Sequence, residues 1–392
     1  MSQAGPAVEA KDLAFPVAEF QRRLRAVQEG VASRGLDATL VFGPANLFYL
    51  TGYETIGYAN FQLAVVTPSG EPRLLVRELE GSAARRLSWM ASEPVVWEDD
   101  QDPLTVTAAM LRSLGLERAR VGVDERSMFL SVRAYKRLQQ LLPGVELADG
   151  SGIVEEARRL KSPAEIDCLR KAAVYTHAGM RAAIEAVREG ASDNDVGAAA
   201  AQAMYAAGSE YVASGPTATT GYRSGVAHTT FARRRIAAGD AVLVELGGVH
   251  RRYTAALMRS AVVGEPSDMV RRMHDACSRA LDAAIVAIRP GVTSGSVHDA
   301  CQKVIDEAGF EPNFRKRLGY SIGVGFAPGW GEGSFLELSR GDPTLLEPGM
   351  VFHMPPALRI YAVVGVGCSE TVLVTEDGVE TLTDFPRELV VR

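Results

Sequence analysis

The sequence predicts two units, an open α/β unit followed by an α+β unit, and three observations carry that prediction. A chain of 392 residues exceeds what one ordinary core organises. Its 47% hydrophobic and 23% charged residues give the profile of a packed globular protein. Over residues 18–150 short apolar runs alternate with helical spacing, and beyond Glu155 helices and strands fall into separate blocks.

The elements follow in order. Phe20, Leu24, Val27 and Val31 repeat at helical spacing, and Gly35 supplies the stop. Strand-like runs come next at 38–42, 63–66, 74–76, 94–97 and 120–124, with apolar-periodic stretches between them. This first unit is expected over 1–155, the second over 156–392. The second opens with Ser162 as an N-cap, Pro163 at the first helical position and Glu165 in the capping-box place. A helix is expected from there to about Glu189, ended by Gly190, and another over 193–206. Strand-like segments at 241–246, 252–263, 351–354 and 368–374 then surround helices at about 267–287 and 294–308.

A formal net charge of -6 disfavours nucleic acid or an anionic membrane surface as a standing partner, and leaves room for a small zwitterionic or carboxylate-bearing substrate. The N-terminal residues show no basic region followed by an apolar one, and apolar stretches such as Tyr361 to Val366 fall far short of a membrane span. The four cysteines are scattered without a CxxC pair, which disfavours a zinc ribbon or a disulfide framework and fits a reducing cytoplasm.

Two residues stand out chemically. Of six histidines, His177 and His274 lie at helical positions and His250 in a turn, where packing or solvation explains them. His228 instead lies in a Gly/Ser/Thr-rich loop, where a scaffold presents functional groups and an imidazole can move a proton near neutral pH. Glu245 interrupts the apolar run Ala241-Val-Leu-Val-Glu-Leu246. A carboxylate there needs an edge position, a buried partner or a chemical task.

Several segments resemble, in order and spacing, the pita-bread hydrolases, the family of aminopeptidase P, prolidase, methionine aminopeptidase and creatinase. They are Lys161-Ser-Pro-Ala-Glu-Ile, Ser214-Gly, His228, Arg235-Ile-x-x-Gly-Asp240, Tyr253 to Ser260, Gly319 to Gly323, Leu346-Glu-Pro-Gly-Met350 and Ser369 to Thr375. Ala45 to Tyr53 resembles part of the creatinase/prolidase N-terminal domain. The resemblance implies an α/β N-terminal domain and an α+β pita-bread catalytic domain. The family's peptidases hold two metals through Asp, Asp, His, Glu and Glu. Those positions fall here at Glu245, Ala256, Tyr320, Pro355 and Ser369, with Glu370 adjacent to the last and His353 two residues before the fourth. A dinuclear site cannot be assembled from that set, so no metal and no other cofactor is expected.

Creatinase lacks metal too, and Thr254 to Ser260 and Glu337-Leu-Ser-Arg340 resemble its segments, the latter bearing its carboxylate-gripping arginine. Met258 and Ala327 stand where creatinase has a glutamate and a histidine. Glu-Leu-Gly-Gly, Gly-Tyr-Ser-Ile-Gly and Trp330-Gly-Glu332 look more like ectoine hydrolase. The resemblance therefore implies a metal-independent hydrolase of a C–N bond (amidine, guanidine or amide) in a small carboxylate-bearing molecule. Glu245 is expected as base or nucleophile, His228 as proton donor and Arg340 as carboxylate clamp. Tyr320, Glu370 and His353 are expected to orient the substrate, with Trp330 covering it. A homodimer is expected, with Tyr53 and Tyr58 reaching the partner's site. The competing readings are a metal-dependent Xaa-Pro dipeptidase or aminopeptidase, a lyase, and a non-catalytic binding protein on a decayed peptidase scaffold.

Overall fold

The computed structural model describes residues 11–314, 316–333 and 335–392; the N-terminal residues read above for a leader lie partly outside that range. The chain divides after Arg158 into two compact units.

The first unit runs α1 (Val17–Ser33), β1 (Ala38–Val41), α2 (Pro44–Thr51), β2 (Leu63–Val66), β3 (Arg73–Arg77), α3 (Gly81–Leu87), β4 (Val95–Trp97), α4 (Pro103–Ser113), β5 (Arg120–Val123), α5 (Val132–Leu141) and β6 (Glu146–Asp149), and α6 (Ile153–Arg159) runs across the division. Its six strands order as β4-β3-β2-β1-β5-β6. The sheet is mixed, because β2 pairs antiparallel with both β1 and β3 while the other pairs are parallel. Strands β1 and β2 are buried at every residue, as expected of a sheet covered on both faces.

The second unit runs α7 (Pro163–Ala186), α8 (Asp193–Ala206), β7 (Thr217–Thr220), β8 (Ala241–His250), β9 (Tyr253–Val262), α9 (Asp268–Ala287), α10 (Ser294–Glu307), β10 (Gly319–Phe326), β11 (Gly329–Gly331), β12 (Glu337–Leu338), β13 (Val351–Met354), β14 (Ala357–Ile360), β15 (Val364–Gly367), β16 (Glu370–Thr375), β17 (Gly378–Thr381) and β18 (Val390–Val391). The Ser162–Glu165 capping box forms as read. Helix α7 stops at Ala186, three residues before the expected end, because Val187 is already extended and Gly190 makes the left-handed turn. No helix among the described residues is long and apolar enough to cross a membrane.

The main sheet orders as β17-β16-β13-β10-β9-β8-β7, with β11 and β12 against β10 and β18 against β9, while β14 and β15 form a separate hairpin. Alternation along β8 divides its two faces. Val242, Val244 and Leu246 pack with Met180, Ala183, Val196 and Ala200 of α7 and α8. The opposite face carries Leu243, Glu245 and Gly247, paired with Ser260, Met258 and Ala256 of β9. That face positions the site.

Candidate active site

Glu245 occupies neither an edge nor an ion pair. Its strand lies between β7 and β9, with Thr217 and Met258 directly opposite it, and no ion pair holds its carboxylate among the described residues. It is half-buried in a strand whose neighbours are buried. The protein around it raises its carboxyl above the ordinary carboxylate range, against the pull of Lys316 and Arg359.

Tyr320 on β10 stands directly opposite His353 on β13. Trp330 Nε1 donates to the Tyr320 hydroxyl at 3.0 Å, and that hydroxyl lies 3.0 Å from His353 Nδ1. His353 Nε2 lies 2.8 Å from Ser369 Oγ. When Tyr320 donates to Nδ1, the hydrogen of the neutral ring sits on Nε2 and is donated to Ser369, so Trp330, Tyr320, His353 and Ser369 form one chain of hydrogen bonds. Burial, and then the Glu245 charge, raise the Tyr320 phenol and keep it protonated.

His353 is fully buried, and burial with Lys316 nearby pushes its imidazole from an ordinary 6.5 down to about 3. The folded state therefore prefers the neutral ring, while the unfolded chain takes up a proton below about 6.5. The stability this provides is present above 6.5 and is lost as pH falls toward 3. Urea unfolding at pH 7.5, 5.5 and 4.5 is expected to show this loss, and His353→Gln to flatten it; an unchanged slope in the variant would remove His353 as the cause.

Two basic residues not singled out from the sequence complete the site. Lys316 precedes β10, and its Nζ donates to the Pro355 carbonyl at 2.8 Å. Arg359 lies on β14, and its Nε is buried without a hydrogen-bond partner among the described residues. Burial and the neighbouring Arg359 push the Lys316 ammonium down to about 8, although the side chain keeps open surface. Arg359 carried a legible signal: like Glu245, it is a lone charge in an apolar run, Pro355-Pro-Ala-Leu-Arg-Ile360.

Other expected residues lie elsewhere. Glu370 points away, since Ser369 reaches His353 and the pleat sends the next side chain to the opposite face. There Glu370 is fully buried and ion-paired with Arg259 at 2.5 Å and Arg387 at 3.0 Å. Arg340 is exposed in a turn beyond β12. Tyr53 is buried with its hydroxyl 3.2 Å from Gln62 Oε1, which commits it to the core of the first unit rather than to a neighbouring molecule; Tyr58 is half-buried. Glu332 is bound to Lys161 and Ser321. His228 is exposed, with backbone in the left-handed region, and no hydrogen bond joins it to Glu245 among the described residues. The segment preceding it is fastened to the Arg359 hairpin, where Gly365 N donates to Ser224 Oγ at 2.8 Å.

The donor set does not fit a dinuclear metal centre. At the other four positions read as ligands stand Ala256, Tyr320, Pro355 and Ser369 in place of carboxylates and imidazole, and the charges of Lys316 and Arg359 act on Glu245. Among the described residues no group of three or more His, Cys, Asp or Glu side chains is placed to hold a metal. At Ala256 the Thr371 hydroxyl bonds both the backbone N–H and the carbonyl, tying β9 to β16.

Residues 167–376 match the model of metallopeptidase family M24, and residues 23–160 match the creatinase/prolidase N-terminal domain. The hydrolase/peptidase y4tL of Sinorhizobium fredii is 34% identical over 96% of this chain and 97% of its own length. Ectoine hydrolase of Halomonas elongata is 30% identical, covering 97% of this chain and 99% of its own. The crystal structure of dipeptidase PepE from Mycobacterium ulcerans superposes with a TM-score of 0.82 at 27% identity, over 96% of this chain and 99% of that one.

Proposed function

The chain belongs to metallopeptidase family M24, a family of hydrolases, and we propose that it hydrolyses a C–N bond of a small carboxylate-bearing molecule without a metal. The observation that carries this reading is the half-buried Glu245 carboxylate, without an ion pair among the described residues and under the charge of Lys316 and Arg359, where a dinuclear centre needs several anionic donors. The similarity to ectoine hydrolase supports a non-peptide amidine or amide as the bond broken.

Without a metal to acidify water, a protein base must generate the nucleophile or a carboxylate must attack. In the first form Glu245 takes a proton from water, the oxygen bonds the polarised carbon, and the C–N bond breaks as the departing nitrogen receives a proton. In the second Glu245 Oε attacks the carbon, the C–N bond breaks as the nitrogen leaves with a proton, and water cleaves the resulting anhydride-type acyl intermediate to free Glu245. His228, on the loop that continues from Ser224, is assigned the proton for the departing nitrogen. In the other His353 tautomer, Nδ1–H and Trp330 Nε1–H both donate to the Tyr320 oxygen and Ser369 donates to Nε2, which leaves the single Tyr320 hydrogen for the oxygen that gains negative charge in the intermediate.

The test is turnover of creatine, ectoine, N-acyl amino acids and Xaa-Pro dipeptides after exhaustive chelation. Activity is expected to persist on a non-peptide member of the panel. Activity that vanishes and returns with Mn²⁺ or Co²⁺, or that is confined to Xaa-Pro dipeptides, would favour the dipeptidase reading instead.

A further inference from the structure

Resting on the reading above, which leaves the grip on the substrate unassigned once Arg340 is found on an exposed turn, we propose that Lys316 and Arg359 form a carboxylate-binding subsite facing Glu245. Its ligand is then a short zwitterion, with the anionic end on the two cations and the cationic nitrogen end on Glu245.

The first support is charge. Lys316 and Arg359 both act electrostatically on Glu245, yet no ion pair joins either to it among the described residues. Packing places them on one side of the sheet: Ala357, two residues before Arg359 on β14, packs on Leu243 and Met258, which flank and pair with Glu245, and Lys316 is bound at Pro355 just ahead of that strand. Two positive charges there accompany one negative. An added carboxylate balances that count. The second support is the buried Arg359 Nε without an acceptor among the described residues. An unsatisfied buried donor leaves its desolvation penalty unrecovered, and a ligand oxygen there removes it.

The third support is rigidity. Lys316 is anchored by Pro355 O, and the Arg359 backbone carbonyl accepts from Asn313 Nδ2 at 3.1 Å. Gly365 crosses beside the Arg359 stem, where an added Cβ would lie 3.1 Å from Arg359 Cγ. A preorganised ammonium and guanidinium bind a carboxylate through charge-assisted hydrogen bonds with little ordering left to do. Selectivity follows too: a ligand with only a carboxylate meets Glu245 as a like charge, and one with only a cation meets Lys316 and Arg359.

The experiment measures binding rather than turnover, so it is independent of how the bond is broken. Thermal shift and calorimetry on the full chain use three probes: 3-guanidinopropionate, which carries both charges, propylguanidine, which lacks the carboxylate, and butyrate, which lacks the cation. Wild type is expected to bind 3-guanidinopropionate about tenfold or more tighter than either single-charge probe. Lys316→Met and Arg359→Met are each expected to abolish the advantage over propylguanidine while leaving propylguanidine binding no weaker. Arg359→Lys keeps the charge and is expected to retain part of the preference. A wild type that binds none of the probes, or that binds all three alike, overturns the subsite. So does an undiminished preference in a folded Lys316→Met protein, whose exposed side chain makes misfolding a poor explanation. Metal-restored activity after chelation, by contrast, overturns the metal-free reaction and leaves these binding results standing.

Discussion

Glu245→Gln is expected to lower kcat by about 10²–10⁴-fold while changing substrate affinity only a few-fold, the range associated with losing a general base. The amide keeps the volume and a hydrogen-bonding capacity, so the paired positions Thr217 and Met258 meet little change in shape. What disappears is the group that takes a proton or attacks. Burial already disfavours the charge at this position, so the neutral variant is expected to fold at least as well as wild type. A loss of turnover then cannot be assigned to unfolding. Intact-mass analysis during a single turnover separates the two chemical forms: direct attack leaves a transient mass increase on the chain, and activated water leaves none. Retained turnover in Glu245→Gln would remove the residue from both roles.

The second large effect falls on stability. Glu370→Ala is expected to destabilise the second unit by about 3–5 kcal/mol, because it strands a buried guanidinium. Arg259 and Glu370 are 2% and 0% exposed, and the Thr383 hydroxyl also donates to Glu370, at 2.6 Å. The remaining Arg259 N–H groups donate to the carbonyls of Met258, Ser369, Phe385 and Pro386, so the arginine cannot swing to solvent. A melting midpoint lower by on the order of 10 °C follows for a unit of this size. The paired replacement Arg259→Met with Glu370→Leu is expected to recover much of the loss, since neither charge is then left buried alone. Were Glu370 a substrate ligand instead, Glu370→Gln would raise KM with little change in midpoint.

The sequence carried local grammar well and through-space direction poorly. Ser162 and Glu165 announce a helix start because capping is settled within four residues. Glu245 is visible because a lone carboxylate violates the pattern of its own strand. Glu370 misled because Ser369 and Glu370 differ by one position, and a single step along a pleat exchanges the site face for the opposite one. Arg340 misled for a related reason: motif spacing sets where an arginine falls in the chain, whereas the hairpin that presents Arg359 is set by long-range packing. Lys316 was hidden among consecutive basic residues, which read as a solvated surface.

The Thr371 clasp on Ala256 constrains the building of a metal site on this scaffold. Building the M24 ligand pattern here requires carboxylates at Ala256, Pro355 and Ser369 and an imidazole at Tyr320, within the field of Lys316 and Arg359 that acts on Glu245. Each of these substitutions made alone adds an uncompensated charge or breaks a tie between strands, as Asp at Ala256 would crowd the Thr371 hydroxyl that bridges β9 and β16. The metal that would reward the full set binds only once most of it is present. Single substitutions toward the ligand pattern are therefore expected to lower the melting midpoint before any metal affinity appears, and Ala256→Asp, measured with and without Mn²⁺, checks the first of them.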